Sequence, residues 1–382
     1  IIVSYLKLRG SVGKTGSQNL GAYDWRTLMG SATYNGAAGI VPSSLGNDIL
    51  QWEEQIQKEV GLDYGFWDDR IRGTLGYYQK KVDNLLYSDP VPTSSSFSSV
   101  YQNIGSLKNR GIEFDVRVDI IKNAPKDLTW NVDFNIARNR TTLEKLNSSD
   151  GYFGGGAYDY FKIEEGGETG RFYGYKDAGR LFMTNEELVG LKTIDPKTGT
   201  LKYYRDDYNY ERQGDVYIMD LDGDGQITAD GDRTVIGNAN PDFFGGFGST
   251  LYWKGLMLNA VFSYSVGGDR FWDEEKNSSG DMNVYNTSNR ILDSWTVNPG
   301  VNASYPRAMY YGWGSNSIIT DRYIHDASYL RMTALNLSYR LPKHLYKNSI
   351  LNAVEFTFQA TNLFTWTKYP GMDPQGNFST TY

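Results

Sequence analysis

The residues best suited to chemistry in this sequence are three aspartates at alternate positions, Asp220, Asp222 and Asp224, with Gly225 directly after them. Hard cations such as Ca²⁺ bind several oxygen ligands in a tight bend. The EF-hand loop supplies those ligands from aspartates at positions 1, 3 and 5, and a glycine at position 6 allows the bend. The spacing therefore predicts a cation site in residues 220–232, which we call the acidic turn.

The acidic turn departs from the EF-hand pattern at position 12, which is Gly231 rather than glutamate. Either flanking aspartate could close the site instead. We expect a structural Ca²⁺ ion, because three close carboxylates repel one another unless a cation neutralises them. The predicted ligands are Asp220, Asp222, Asp224, the backbone carbonyl of Gln226, and Asp230 or Asp232. The alternative is a set of turns without metal, since Asp-Gly runs form turns by themselves.

The elements around the acidic turn must hold it in place. Gly225 permits the left-handed backbone that the bend needs, and Ile227 is expected to pack inward as an anchor. The sequence Asn-Pro-Asp at 240–242 predicts a turn that leads into a strand at Asp242–Trp253. The ion would therefore rigidify a long loop directly before a strand.

The composition narrows the classes of protein. Acidic residues outnumber basic residues by 45 to 38, and the formal net charge of −7 argues against nucleic acid as a partner. Cysteine is absent, which excludes disulfides and thiol chemistry. The two histidines, His325 and His344, are too few for a multi-histidine metal site. The 30 tyrosines, 42 glycines and 9 tryptophans favour a turn-rich, aromatic β protein.

Apolar and polar residues alternate strictly at Ile112–Ile120 and again at Leu128–Ile136. This period predicts strands with one apolar and one polar face. We expect the apolar set of the first strand to face lipid and the polar set to face a lumen; the sets are Ile112, Phe114, Val116 and Val118 against Glu113, Asp115 and Arg117. The predicted strands are Tyr5–Lys14, Val60–Phe66, Ile71–Tyr77, Ile112–Ile120, Leu128–Ile136, Asp242–Trp253, Leu256–Tyr264, Tyr329–Leu341 and Val354–Ala360.

The connections between these strands alternate between short and long. Short ones lie at Trp67–Arg70, Lys122–Lys126, Lys254–Gly255 and Pro342–Leu351, and long ones at Thr15–Gln51, Leu85–Lys108, Leu143–Pro241, Gly268–Ser328 and Leu363–Tyr382. Sorting of loop length by side is typical of outer-membrane barrels, which have short periplasmic turns and long extracellular loops. The sequence therefore predicts an all-β, antiparallel transmembrane β-barrel. No apolar run is long enough for a membrane-spanning helix.

The long loops are rich in aromatic residues, notably at Gly151–Phe161 and Tyr203–Arg212. Such rings could stack on sugars or on the apolar side chains of a ligand. They could equally belong to an interface girdle or to ordinary loop packing.

Several stretches resemble the SusC/RagA family of TonB-dependent outer-membrane transporters, in the region of the C-terminal part of the barrel. They run nearly end to end in the order that the family shows: Tyr5–Asn19, Gln51–Leu62, Tyr77–Leu85, Gly105–Phe114, Asp220–Pro241, Asp326–Arg331, Leu335–Pro342 and Thr361–Pro374.

The resemblance implies a plugged barrel of about 22 strands. The chain would then be part of a single barrel whose plug, signal peptide and earlier strands precede Ile1, and whose final strand follows the loop after Leu363. Residues 143–241 would form an extracellular loop that carries the acidic turn at 220–232. The implied function is TonB-dependent import of oligosaccharides or peptides across the outer membrane. The implied partners are a SusD-like surface lipoprotein as a lid, TonB acting through the plug, and outer-membrane lipid.

Two functions other than import would also account for parts of the sequence. The acidic pairs Asp206–Asp207 and Glu164–Glu165 could be glycosidase carboxylates, but adjacent residues on a strand point apart, so catalysis is not expected. Neither histidine lies in a recognisable triad motif. A soluble or surface-anchored carbohydrate-binding β protein would explain the aromatic loops and the acidic turn. It would not explain the sorting of the loops by length.

Overall fold

The computed structural model describes residues 2–17, 20–124, 127–146, 152–154, 161–184, 187, 192–194, 201–203, 213–280, 287–300, 303–308, 318–347 and 349–375. In chain order the strands are β1 (Val3–Ser17), β2 (Met29–Tyr34), β3 (Ala37–Pro42), β4 (Glu53–Phe66), β5 (Ile71–Asp83), β6 (Leu86–Pro90), β7 (Ser99–Asn103), β8 (Gly105–Ala124), β9 (Leu128–Leu146), β10 (Tyr152–Gly154), β11 (Phe161–Ile163), β12 (Arg171–Tyr175), β13 (Asp177–Leu181), β14 (Lys192–Ile194), β15 (Leu201–Tyr203), β16 (Val216–Ile218), β17 (Arg233–Asn238), β18 (Phe243–Trp253), β19 (Leu256–Val266), β20 (Asp269–Phe271), β21 (Ile324–Asp326), β22 (Tyr329–Arg340) and β23 (Glu355–Thr367).

Helical segments are short. Single α-helical turns lie at Ala229–Asp232 and Asp273–Glu275, a π turn at Lys276–Gly280, and 3-10 turns at Thr93–Ser95, Asn289–Asp293, Asp321–Tyr323 and Lys343–Leu345. Among the described residues, no helix combines the length and the apolar character needed to cross a membrane.

Nine long strands form one antiparallel sheet in the order β1-β4-β5-β8-β9-β18-β19-β22-β23, which we call the wall. Each wall strand pairs with the next wall strand along the chain, so the sheet is a continuous meander. All nine predicted strands are present, and most are longer than predicted. The fold is therefore the antiparallel barrel sheet that the alternation indicated.

Cross-strand register sorts the wall side chains by face, because residues directly opposite one another share a face. One row across all nine strands is apolar apart from a glycine: Leu8, Leu62, Leu75, Phe114, Ile136, Gly245, Tyr264, Leu330 and Trp366. The neighbouring row is polar or small: Lys7, Asp63, Thr74, Asp115, Asn135, Gly246, Ser263, Arg331 and Thr365. The predicted lipid-facing and lumen-facing sets of β8 lie on these opposite faces.

The apolar face of the wall is not covered by other described parts of the chain. Leu8 is 76% exposed, Ile112 is 53% exposed and Phe364 is 57% exposed. The polar face carries ion pairs between neighbouring strands, including Arg9 with Asp63 at 3.1 Å. A soluble β-sandwich would bury its apolar face against a second sheet, so these exposures favour a barrel wall over a sandwich.

Loop length is sorted by side as predicted, with short turns at one end of the wall and long connections at the other. One predicted boundary was wrong. The chain does not leave the sheet at Leu363, because β23 continues to Thr367. A bulge opposite Met332–Ala334, with Asn362 at φ +51°, inserts an extra residue in β23 and shifts the phase of the alternation. The alternation of apolar and polar residues is therefore interrupted at the bulge, although the strand itself continues to Thr367.

The long connections were expected as loops, but they contain small sheets and two hydrophobic cores. We call the described parts of residues 161–242 and 267–328 the loop module. Its first core comprises Leu181, Phe182, Val216, Ile218 and Ile227. Its second core comprises Phe172, Phe271 and Tyr323. These segments bury side chains as a small globular domain does, whereas the wall exposes side chains on both faces.

Candidate functional site

The acidic turn follows β16 and ends with the helical turn at Ala229–Asp232. Asp220 organises its first half, because Oδ1 accepts the backbone N–H of Gly223 and Oδ2 accepts that of Gly225, both at 2.8 Å. Gly223 and Gly225 have φ values of +75° and +79°. The left-handed backbone predicted at Gly225 is therefore confirmed, and two glycines rather than one make the bend.

The carboxylates of Asp220, Asp222 and Asp224 converge, and each offers an oxygen within 4.8 Å of the others. The N–H of Asp224 donates to Asp222 at 3.1 Å and would lower the pKa of that carboxyl. Desolvation and repulsion from Asp224 and Asp232 outweigh that bond, so the pKa of Asp222 is raised. The turn therefore concentrates negative charge around Asp222.

The two aspartates proposed to close the site occupy different environments. Asp232 is fully buried, and its two oxygens accept the backbone N–H groups of Leu221 at 2.7 Å and Thr228 at 2.6 Å. Asp230 is exposed on the helical turn. Asp232 thus connects Leu221 to Thr228 within the acidic turn, whereas Asp230 is accessible to solvent.

The glycine at position 12 has a steric explanation. A Cβ atom at Gly231 would overlap the Asp222 carboxylate, so a glutamate cannot occupy this position unless Asp222 moves. The N–H of Gly231 also donates to the hydroxyl of Thr228, which caps the helical turn. The N–H of Gln226 donates to Asp224 at 2.7 Å, which leaves the Gln226 carbonyl as the predicted ligand.

Ile227 packs into the first core, as predicted, and is 8% exposed. Trp295 and Ile318, from the second long loop, pack against the same core. The acidic turn is therefore supported by both long loops.

Buried ion pairs link the two long loops. Arg307 contacts Asp215 through Nε at 2.7 Å and Nη2 at 3.1 Å, and Asp215 is 2% exposed. Arg322 contacts Asp177 at 2.7 Å. Each pair brings together residues more than 90 positions apart, which explains why no local pattern identified them.

Further contacts fix the loop module and the final connection to the wall. Arg331, on the polar face, donates to Asp373 at 2.6 Å and to Gln375 at 2.5 Å. Arg140 donates to Asp242 at 2.8 Å at the start of β18. The sequence did not identify either arginine as a special residue. Each lies in a strand with other polar residues, and its partner is distant in the sequence.

The other sequence candidates do not assemble into a catalytic site within the described residues. Glu164 is paired with Arg171 and Lys162, and these cations lower its pKa against the opposing effect of burial. The stretches Gly151–Phe161 and Tyr203–Arg212 lie largely outside the described residues, and Asp206–Asp207 lies entirely outside them. His325 pairs with Glu275 at 3.1 Å, whereas His344 lies in the short connection after β22.

Comparison with known proteins identifies the family to which this wall belongs. The family model for the TonB dependent receptor-like beta-barrel matches residues 2–363. The chain belongs to this TonB-dependent receptor family. TonB-dependent receptor P39 of Formosa agariphila is 30% identical over 397 residues, which cover 98% of this chain and 38% of that protein. TonB-dependent receptor SusC of Bacteroides thetaiotaomicron is 28% identical over 390 residues, covering 98% of this chain and 35% of that protein.

The chain also matches solved structures. The RagAB peptide transporter superposes with a TM-score of 0.73 at 27% identity, covering 98% of this chain and 38% of that chain. The closed-closed state of the RagAB peptide importer gives a TM-score of 0.74 at 28% identity with the same coverage. The chain thus spans between 35% and 38% of the length of the relatives and solved structures described above.

Proposed function

We propose that the protein carrying this chain imports peptides or oligosaccharides across the outer membrane by a TonB-dependent mechanism. The observation that carries the proposal is the wall itself. A row of residues on one face is apolar apart from a glycine across all nine strands, the neighbouring row on the other face is polar or small, and every long connection lies at the same end. This arrangement suits a barrel whose outer face contacts lipid and whose polar lumen carries hydrophilic cargo.

We further propose a SusD-like surface lipoprotein as a lid over the long-loop end. The loop module supports this assignment, because long loops with their own cores present a shaped surface rather than mere connections. The similarity to SusC and to the RagAB peptide transporter is consistent with such a partner.

Uptake in cells tests the proposal. Cells producing the full-length protein would be given fluorescent short peptides and malto-oligosaccharides, with and without a functional TonB. We expect uptake of at least one probe that is lost when TonB is deleted, and co-purification of one lipoprotein with the barrel. Absence of uptake for every probe, or uptake that is independent of TonB, would overturn it.

We also propose that the acidic turn holds a structural Ca²⁺ ion, with Asp220, Asp222 and Asp224 as ligands, joined by the Gln226 carbonyl and by Asp230 or Asp232. The convergence of the three carboxylates supports the proposal. Asp232 is fully buried whereas Asp230 is exposed, so Asp230 is the more accessible of the two closing groups.

Calcium titration of the purified full-length protein tests this site. Asp224→Asn should weaken Ca²⁺ binding strongly and Asp230→Asn more weakly, measured by calorimetry. Asp293→Asn is a matched control, because Asp293 is exposed in the same module and lies away from the acidic turn. Equal binding by Asp224→Asn and the control would contradict the assignment.

A further inference from the structure

A cleft of about 310 Å³ lies where the loop module meets the polar face of the wall. Tyr329 and Ser265 contribute the wall side, and they are paired across β19 and β22 on the polar face. Phe161, Phe172 and Phe271 contribute apolar surface from the two long loops. The cleft therefore opens on the side of the wall along which cargo would pass.

The cleft contains one carboxylate whose charge is not balanced by a neighbouring cation. Asp269 accepts the backbone N–H of Asn238 at 2.8 Å through Oδ2, and no described side chain forms an ion pair with it. Arg270 follows it in β20 and also lines the cleft, but its guanidinium donates to the carbonyl of Asp373 at 2.5 Å and lies over the ring of Tyr369 rather than pairing with Asp269. The other charged groups that influence Asp269 are Asp242 and Asp326, which are both acidic.

The surroundings raise the cost of a bare charge on Asp269. Burial is the main cause of the raised pKa of Asp269, with repulsion from Asp326 and Asp242 adding to it and the Asn238 N–H opposing it. Asp242 is itself paired with Arg140 at 2.8 Å. A cation delivered to the cleft would therefore provide Asp269 with a counter-charge that the described side chains do not supply.

The size and lining of the cleft restrict what such a cation can be attached to. Its volume lies at the lower end of the range for small-molecule sites, about 300–1,000 Å³. It suits one residue of a longer ligand rather than an entire oligosaccharide. The phenylalanine rings, with Phe161 stacked on Phe172 at 4.8 Å between ring centres, favour an alkyl stem beside the carboxylate.

We propose that this cleft binds a cationic group on an alkyl stem, an amine or guanidinium, at one position of an imported peptide, with Asp269 as its counter-ion. The proposal rests on the import function and selects peptides over neutral oligosaccharides as cargo. The cation could be a basic side chain or a free N-terminus, since both present the same charge to the carboxylate.

Binding to the purified full-length protein in detergent tests the cleft separately from transport. The probes are the pentapeptide Ala-Ala-Lys-Ala-Ala with a free and with an acetylated N-terminus, the acetylated norleucine analogue, and maltohexaose. We expect the lysine peptides to bind at least about tenfold more tightly than the norleucine analogue. If only the peptide with a free N-terminus binds tightly, the cation is the terminus.

Two variants probe the charge and the volume of the cleft separately. Asp269→Asn keeps an acceptor for the Asn238 N–H but removes the charge, and it should abolish the preference for cationic peptides. Ala327→Leu adds bulk at another residue that lines the cleft and should weaken binding of all the peptides. Glu274→Gln is the matched control, because Glu274 is an exposed carboxylate on the same loop and does not line the cleft.

The outcomes separate this proposal from the proposed function. If cells take up peptides but the Asp269→Asn protein still prefers cationic peptides, the cleft is not the cation site. Import remains supported in that case. If binding is selective for cations and depends on Asp269, but no probe is taken up in a TonB-dependent way, the import function is wrong. The assignment of the cleft as a cation site remains supported in that case. Tighter binding of maltohexaose than of every peptide would overturn the choice of cargo.

Discussion

The wall and the loop module solve the problem of stability in different ways. The wall satisfies its backbone through one continuous ladder and leaves its apolar side chains for an external solvent, as the 76% exposure of Leu8 shows. The loop module has short ladders and instead buries side chains such as Phe182 and Tyr323, each 1% exposed. The described part of the chain therefore buries hydrophobic cores of its own in the loop module and leaves the apolar face of the wall uncovered.

The difference also separates the tasks of the two regions. The wall consists of nine antiparallel strands in which side chains alternate between two faces. Such a regular sheet suits the enclosure of a lumen. The loop module collects buried ion pairs, the acidic turn and the cleft beside Asp269. Chemical specificity thus resides where non-repeating segments meet, a common arrangement for loops on a rigid scaffold.

The largest expected effect follows from removing a core ring of the loop module. Phe182→Ala should destabilise the module by about 3–5 kcal/mol, because Phe182 is fully buried and packs 4.5 Å from Tyr217 between ring centres. Hydrogen exchange should rise in the loop module and stay low in the wall. The control Leu8→Ala should have little effect on either. Increased exchange throughout the wall would show that the two regions are one cooperative unit.

A charge on the apolar face should affect the wall next most strongly. Phe114→Arg should cost about 2–4 kcal/mol in a bilayer near its midplane, because lipid does not solvate the guanidinium. Thr74→Arg, on the polar face beside Asp115, is the matched control and should be tolerated. Refolding into lipid vesicles with urea titration measures both. Equal costs for the two variants would mean that the faces are assigned incorrectly.

Removal of calcium should loosen the loop module and leave the wall unchanged. An ion present at 100 times its Kd stabilises the state that binds it by about 2.7 kcal/mol. Limited proteolysis in EDTA should therefore cut faster within residues 213–242, while the heat-modifiable mobility of the barrel stays the same. The Asp224→Asn protein should already be cut quickly without EDTA. Identical cleavage with and without calcium would argue for a metal-free turn.

The smallest expected effect is a pH dependence in the loop module. Burial raises the pKa of Asp177 despite Arg322 and the N–H of Gly179. The folded module therefore binds the proton of the Asp177 carboxyl more tightly than the unfolded chain does. The stability that this proton contributes is present at low pH and is lost as the pH rises through the raised pKa of Asp177. Asp177→Asn should remove that slope, measured as the difference in unfolding free energy from wild type between pH 4 and pH 7. An unchanged slope would contradict this origin.

The sequence alone determined the wall. Alternation at positions such as Ile112–Ile120 fixes the strand and both its faces, since a slip of one residue would exchange them. Loop lengths fixed which end carries the elaborated surface. The bend at Gly225 and the inward packing of Ile227 also followed from local chemistry, because a left-handed turn and an apolar anchor depend on near neighbours.

Only the tertiary structure decided how the long loops fold. Asp215 meets Arg307, and Asp269 lines one cleft together with Phe161 and Phe172, across separations that no local pattern encodes. The same holds for the position of Gly231 beside the Asp222 carboxylate, which would have to shift if residue 231 carried a side chain. Strands can be predicted from the two-residue period of their apolar side chains, which is a local property of the sequence. A cleft built from three separate segments forms only when those segments pack together.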